Sequence, residues 1–471
     1  DRNRNALVTG DQSIPVTIIS LTNLNEAAVR WDEIEEGAHG STARKEKYTL
    51  KPHQQEAVDK AVEHYRHNDR GKMIMACGTG KTFTSLKIAE ALLNNHVGKQ
   101  PSCLLFLTPS IALVGQTLRE WMANTSSDLN PICVCSDPSV SKRRTEDDIG
   151  ERVEDLGIPA TTDPGRIAFQ YKVSSKSTAI FSIYQSLDAV ISAQQHGLPE
   201  FDLIICDEAH RTTGTILSKN DESNFTKVHD NDLVRGRKRL YMTATPRLYG
   251  VKGKEDAKKA SVVLCSMDDP KIYGEEFYSI TFGRAVELGL LSDYKVLILT
   301  VPEKDVPDIV KKHWVQEDGT IDVDARCKIW GCLNALEKNV AYDETLKTTD
   351  PDPMRSAVIF CHSIAASKIV TKTFNKMSHE PLSPIHLEVQ HIDGRMKASD
   401  REQMMNWLKK GDENGGCRAL SNVRCLSEGG DVPALDAVIF MGTKSSLIDV
   451  IQSVGRVMRQ APGKKYGYII I

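Results

Sequence analysis

Apolar runs between residues 47 and 248 stand at 73–75, 103–107, 132–134, 178–183, 203–206 and 240–242. They are short and nearly uninterrupted, as strands buried on both faces are. Helical periods separate most of them, as at 83–93 and 111–121. Such alternation predicts a mainly parallel sheet covered by helices, an α/β fold. The pattern returns beyond residue 295, with strands expected at 295–301, 357–360, 386–389, 417–420 and 438–440. The chain therefore reads as two lobes, 47–248 and 295–471, joined by a connection at 249–294. Residues 1–46 show little periodicity apart from Val16 to Leu21 and read as a connector from an upstream domain. The polar stretch 136–166 reads as an insertion or mobile loop, and 302–352 as a partly helical insertion. No internal repeat is evident.

Two strand ends carry chemistry. After 73–75 comes Ala76-Cys77-Gly78-Thr79-Gly80-Lys81-Thr82, then a helical pattern. A glycine-rich turn between strand and helix lets backbone N–H groups and the helix dipole surround phosphates. Lys81 is placed to reach the β- and γ-phosphates, and Thr82 to hold Mg²⁺. Met75 stands where the usual phosphate-loop pattern begins with glycine. The second strand end is Asp207-Glu208-Ala209-His210, following 203–206. Acidic groups at the C-terminal end of a parallel strand lie where such sheets place their sites. Asp207 suits Mg²⁺, and Glu208 suits the task of orienting and deprotonating a water.

With these residues in place, the chain resembles a superfamily 2 helicase-type motor, and the matches run in family order from Leu50 to Arg459. Leu50-Lys51-Pro52-His53-Gln54-Gln55 resembles the adenine-reading Q-motif, with Gln54 as the contact. Residues 76–82 are similar to motif I, Thr108-Pro109-Ser110 with Gln116 to motif Ia, and Ile183-Tyr184-Gln185-Ser186-Leu187 to motif Ib. Residues 207–210 are similar to motif II and Met242-Thr243-Ala244-Thr245-Pro246-Arg247 to motif III. Val358-Ile359-Phe360-Cys361-His362-Ser363 resembles motif IV. Ser427-Glu428-Gly429-Gly430-Asp431-Val432-Pro433 resembles motif V, with Gly430 in place of the usual apolar residue. Gln452-Ser453-Val454-Gly455-Arg456-Val457-Met458-Arg459 resembles motif VI.

The resemblance implies two tandem RecA-like lobes, each a mainly parallel sheet flanked by helices, with the ATP site in the cleft between them. It implies ATP and Mg²⁺ as cofactors. Gln54, Gly78, Thr79, Gly80, Lys81, Thr82, Gly429 and Asp431 would bind nucleotide, and Thr82 and Asp207 the metal. Lys81, Asp207, Glu208, Arg456 and Arg459 would carry catalysis, with either arginine as the finger. The two arginines, three apart on an expected helix, share a face. His210, Thr243, Thr245 and Gln452 would relay the nucleotide state, although His210 also fits a purely structural role. Pro109, Ser110, Gln116, Tyr184, Gln185, Ser186, His362, Ser363 and Ser427 would touch the nucleic-acid backbone.

A narrower resemblance lies in MACGTGKTFTSLKIAE, CDEAHRTTG, RLYMTATPR and SMDDPKIYGEEFYSITFGRAVELGLLSDYKV. These strings are similar to the motor region of type ISP restriction-modification enzymes. Those single polypeptides join nuclease, motor, coupler, adenine methyltransferase and target-recognition domains. Type I and type III restriction motors are close relatives. Double-stranded DNA is then the expected partner.

Composition changes the picture in three places. With 40% apolar and 26% charged residues the chain has globular values, and no apolar stretch reaches the roughly 18 residues of a membrane span. A soluble cytoplasmic enzyme, with no membrane partner, is expected. The net charge of −3 excludes coating of nucleic acid by global charge, so contacts must be local. Basic clusters at 142–144, 235–239 and 252–259 read mainly as solvated loops, while acidic runs at 32–36 and 146–155 face away from DNA. The eleven cysteines are scattered without a C-x₂-C pair, which argues against a zinc site. The missing initiator Met and the apolar end at 468–471 suggest a piece of a longer protein.

Three functions fit: a double-stranded DNA translocase within a restriction enzyme, a strand-separating DNA or RNA helicase, and an ATP-switched nucleic-acid clamp. Only residues 432–451 separate motifs V and VI, too few for a wedge hairpin beside the required strand and helix, which favours translocation. The catalytic set looks intact, which disfavours the clamp.

Overall fold

The computed structural model describes residues 24, 27–34, 44–94, 101–136, 153–156, 158–216, 224–250, 263–299, 323–339, 349–394, 396, 398–412, 415–423, 435–442 and 447–471. Several expectations fall outside them: the Val16–Leu21 period, the basic clusters 142–144 and 252–259, most of 302–352, and Ser427, Gly429 and Asp431. The described chain forms two compact units, with the boundary in sequence between Thr281 and Phe282.

The first unit contains β1 (Arg70–Met75), β2 (Cys103–Thr108), β3 (Leu129–Val134), β4 (Ser177–Ile183), β5 (Leu203–Cys206), β6 (Gly214–Ile216), β7 (Arg239–Thr243), β8 (Val263–Cys265) and β9 (Glu275–Ile280). Seven of these make one parallel sheet in the order β3-β4-β2-β5-β7-β1-β9, and β6 with β8 forms a separate antiparallel pair. Every residue of β2, β5 and β7 is buried, as their unbroken apolar runs require.

The sequence reading misses β9, which it places in the connection 249–294. This strand starts Glu275-Glu276 and lies at the sheet edge, so only part of it is buried. Gly274 lets it approach β1. With φ at 72° it takes a left-handed conformation, and a Cβ there would collide with the Arg70 carbonyl. The polar stretch 136–166 also ends in structure: Ala160 bridges Cys133, and Pro164 opens a helix running to Val173 with Asp163 as its cap.

The second unit contains β10 (Asp293–Leu297), β11 (Ser356–Phe360), β12 (Leu387–His391), β13 (Cys417–Asn422), β14 (Ala437–Phe440) and β15 (Tyr466–Ile470). They form a parallel sheet in the order β10-β15-β14-β11-β13-β12. In β11, Ala357 and Ile359 face a core with Phe374 and Met377, whereas Val358 and Phe360 face another with Leu408 and Val457. Both faces are thus covered, as a parallel sheet demands. The two units are two mainly parallel sheets flanked by helices, the build of two tandem RecA-like lobes. No described helix is long and apolar enough to cross a membrane.

Candidate active site

In the first unit β5, β7 and β1 are neighbours and parallel, so their C-terminal ends share one edge of the sheet. The register sets Cys206 beside Tyr241 and Tyr241 beside Lys72. The segments that leave these three strands are therefore brought together: Asp207-Glu208, Ala244-Thr245 and the phosphate loop.

Gly78 and Gly80 both take left-handed conformations, with φ of 83° and 86°. At Gly80 a Cβ would also meet the Gln54 amide nitrogen, so the Gln54 side chain would have to shift. Lys81 then opens the helix Lys81–Asn94. The Gly80 carbonyl accepts the first helical bond from Thr84 N–H, at 3.0 Å, and a second from Thr84 Oγ1, at 2.9 Å. Lys81 Nζ donates to the Met75 carbonyl at 3.3 Å, and Trp121 Nε1 donates to the Thr82 carbonyl at 3.2 Å. The expected adenine reader, Gln54, is engaged at both ends of its amide. Its Oε1 accepts Lys51 N–H at 2.9 Å and its Nε2 donates to Gly80 O at 3.5 Å. In this arrangement Gln54 braces the loop, and its amide keeps one lone pair and one N–H that a base could use.

The acidic pair is built with strain. Glu208 has φ 48° and ψ 47°, a left-handed conformation that costs a non-glycine residue about 1–2 kcal/mol. Asp207 Oδ1 accepts the Glu208 N–H at 2.9 Å, and the Asp207 carbonyl accepts the Tyr184 hydroxyl at 2.8 Å. Burial, and then the charge of Glu208, push the Asp207 carboxyl above its usual range. Burial alone would raise Glu208 too, but His210, Lys81 and Arg211 outweigh it and hold Glu208 low. The pair is thus split into one ionised carboxylate and one that tends to keep a proton.

Behind Glu208 stands a buried relay. His210 Nδ1 lies 3.0 Å from Thr243 Oγ1 and 3.3 Å from Glu208 Oε2. Thr243 Oγ1 accepts Thr245 N–H at 3.1 Å. Glu208 Oε2 is buried and faces the His210 ring, which holds the carboxylate from that side.

The donor set can be tested against Mg²⁺. Among the described residues no group of three or more His, Cys, Asp and Glu could cage a metal. Thr82 and Asp207 offer two oxygens, and Mg²⁺ commonly takes one or two protein oxygens with phosphate and water completing its shell. The residues fit that ion.

Two residues of importance escape the sequence reading. Glu120, on the helix Ile111–Asn124, takes a hydrogen bond from Phe83 N–H, and burial pushes its carboxyl up to about 7. Its charge also reaches Asp207. A glutamate on an amphipathic helix gives no signal of this in sequence. The second is Lys464 in the second unit, whose Nζ donates to the carbonyls of Leu435, Val457 and Arg459. It closes the C-terminal end of the helix Leu447–Val457, a common use of lysine. Arg456 sits in the last turn of that helix and is buried, whereas Arg459 lies two residues beyond its end. The chain leaves the helix in a tight turn, with Arg459 N–H bonded to Arg456 O at 3.4 Å. Gln452 lies on the same helix.

The expected nucleic-acid residues divide. Gln185 and His362 are exposed, and Gln116 is half-buried. Ser110 Oγ accepts Leu113 N–H at 3.4 Å and Ser363 Oγ accepts Ala366 N–H at 3.1 Å, so both cap helices. Pro109 is buried, and its carbonyl accepts from Gln185 Nε2 at 3.5 Å. Ser186 is buried and accepts Ser136 N–H at 3.2 Å. Tyr184 is wholly buried, because its ring stacks on Phe225 and its hydroxyl is held by Asp207; it offers no surface to a nucleic acid. The cluster 235–239 is only partly internal, since Arg235 and Arg237 are exposed. Arg239 is 2% exposed among the carbonyls of Val228, Val234 and Gly236, Arg235 bonds Gln194, and Arg237 pairs with Glu200 and Asp202.

A strand-end phosphate loop facing an acidic pair is the equipment of many nucleoside triphosphatases, and comparison with known proteins narrows the kind. Residues 47–248 match the family described as type III restriction enzyme, res subunit, and residues 337–461 match the helicase conserved C-terminal domain. The chain is a superfamily 2 helicase-like ATPase motor.

Among solved structures it is similar over its whole length to LlaBIII, an ATP-dependent type ISP restriction-modification enzyme bound to DNA. The two are 38% identical with a TM-score of 0.83, and the match covers 100% of this chain and 30% of that one. A nuclease-deletion mutant of the type ISP enzyme LlaGI, in complex with a DNA substrate mimic, is 34% identical with a TM-score of 0.60, over 89% of this chain and 27% of that one. Among curated proteins, the probable helicase A859L of African swine fever virus is 23% identical over 434 residues, which is 89% of this chain and 40% of the viral protein. The EcoAI endonuclease subunit of Escherichia coli is 22% identical over 73% of this chain and 36% of its own length. The chain thus spans less than half of each of these relatives.

Proposed function

We propose that this chain is an ATP-driven motor on double-stranded DNA, working within a restriction-modification enzyme that also carries nuclease, coupler, adenine methyltransferase and target-recognition domains. The observation that carries the reading is the whole-length likeness to LlaBIII, a type ISP enzyme solved on DNA. The geometry supplies the chemistry. The backbone N–H groups of residues 78–82 and the Lys81 ammonium bind the nucleotide's phosphates. Thr82 and Asp207 would hold Mg²⁺, which would supply charge neutralisation at the phosphate oxygens. Glu208 is kept ionised by His210, Lys81 and Arg211, and its carboxylate takes a proton from the attacking water. Thr243 and His210 fix the glutamate's side chain. Arg456 and Arg459 supply the planar donors suited to a transferring phosphoryl group.

The test is the ATPase rate of the purified protein with duplex DNA, single-stranded DNA or RNA. Duplex DNA should stimulate most, and stimulation should fall with salt because the contacts are to phosphates. With ATP and Mg²⁺ the protein should displace a triplex-forming strand without separating the duplex beneath it. Stimulation by RNA alone overturns the reading. Unwinding of a blunt duplex as fast as triplex displacement favours the strand-separating helicase instead, the activity suggested by the viral relative's name.

A further inference from the structure

We infer that Tyr184 is a positioning residue that transmits nucleic-acid engagement to the acidic pair. The inference rests on the proposed DNA-driven motor and adds the route by which DNA reaches the chemistry. β4 ends in a one-turn 3₁₀ helix, Tyr184–Ser186, and β2 ends at Thr108 followed by Pro109 and Ser110. These two turns are tied together, since Gln185 Nε2 donates to the Pro109 carbonyl at 3.5 Å. Asn224 Nδ2 donates to the Gln185 carbonyl at 2.9 Å. Gln185 is exposed, so the pair of turns presents a polar surface on the side of the sheet where strands end.

Tyr184 is the inward half of the same turn. Its ring stacks on Phe225 with centroids 5.0 Å apart, and it is 0% exposed. Its hydroxyl donates to the Asp207 carbonyl at 2.8 Å. That carbonyl belongs to the peptide that leads into Glu208, whose left-handed backbone persists only if its surroundings hold it. One rigid side chain therefore runs from a surface turn to the strained peptide that aims the Glu208 carboxylate. A phosphate gripped at Gln185 or at the N-terminus of the Ile111–Asn124 helix moves or fixes the turn, and the phenol carries that displacement to Asp207. The relay His210–Thr243 reaches Glu208 through its side chain, whereas Tyr184 reaches it through the backbone.

The experiment compares wild type, Tyr184→Phe and Phe225→Leu. Each is measured for ATPase with and without duplex DNA, for KM of ATP, and for thermal melting. Tyr184→Phe keeps the ring and removes the hydroxyl, which bonds the Asp207 carbonyl and also meets the buried Cys206 thiol. Its ratio of stimulated to basal rate should fall at least about fivefold, carried by kcat, with KM changed less than about twofold. Phe225→Leu keeps the hydroxyl and should retain most of the ratio. An unchanged ratio in Tyr184→Phe, with wild type still stimulated, overturns this inference and leaves the motor reading standing. Equal losses of basal and stimulated rate also overturn it, because they mark a structural role. A wild-type protein that no nucleic acid stimulates overturns the motor reading and this inference with it.

Discussion

Glu120→Gln asks what a buried charge costs beside the phosphate loop. Burial moves the Glu120 carboxyl from an ordinary 4.5 to about 7, with the Phe83 N–H opposing part of the rise. At about 1.4 kcal/mol per pH unit, an ionised Glu120 costs the native state about 3 kcal/mol. The residue keeps some solvent contact, so about 1.5–3 kcal/mol is the working range. Its folded value lies above its unfolded one. The stability gained by holding the acid protonated is therefore complete below about pH 4.5 and is lost as the pH rises through about 7. Glutamine keeps the shape and an acceptor for Phe83 N–H but carries no charge. The variant should melt higher than wild type at pH 8.5, by roughly 3–10 °C for a domain of about 150–250 residues. By pH 5 roughly a quarter of that gap should remain, because wild-type Glu120 is then protonated when folded. Thermal melts of both proteins across pH 5–8.5 decide it. A gap independent of pH, or a variant that melts lower at pH 8.5, refutes the burial argument.

Glu208→Gln should bind a fluorescent ATP analogue as wild type does yet release almost no phosphate, since an amide cannot accept the water's proton; near wild-type turnover would sink the role given to Glu208. Lys81→Ala, measured alongside, should lose nucleotide binding itself. Arg459→Ala should hold ATP affinity within a few fold and cut turnover by at least ~100-fold, a floor set about tenfold under the least that an arginine finger supplies. A large affinity loss with modest turnover loss would recast Arg459 as a ground-state ligand.

Most of the sheet is legible in the sequence because burial on both faces leaves little choice of residue: β2 and β5 read as unbroken apolar runs. The phosphate loop is legible for a different reason. Gly78 and Gly80 need left-handed φ, and Lys81 and Thr82 need their functional groups, so the chemistry dictates identity. β9 escapes because an edge strand with two glutamates at its start satisfies no burial pattern. Glu120 and Lys464 escape because each bonds a backbone group distant in sequence, the Phe83 N–H for one and the Leu435 carbonyl for the other. Spacing puts Arg456 and Arg459 on one helix, but spacing does not say where a helix stops, and Arg459 lies two residues beyond its end.

The serines show a further limit of residue type as evidence. Ser110 follows β2 and Ser363 follows β11, and each precedes a helix with nearly the same extended backbone, φ −144° and −150°. A hydroxyl at that point is suited to phosphate, but it is also suited to cap the helix, and both serines cap. The two uses draw on the same property, an oxygen set among backbone N–H groups. Capping does not exclude phosphate binding, because a side-chain cap satisfies one of about four orphan N–H groups at a helix start. The remainder, with the helix dipole, still favour an anion. A nucleic-acid grip at these turns therefore belongs to the helix N-terminus as a whole. Loss of either serine would weaken the fold by roughly 1 kcal/mol before it touched binding, so serine-to-alanine changes alone cannot separate a phosphate contact from a cap.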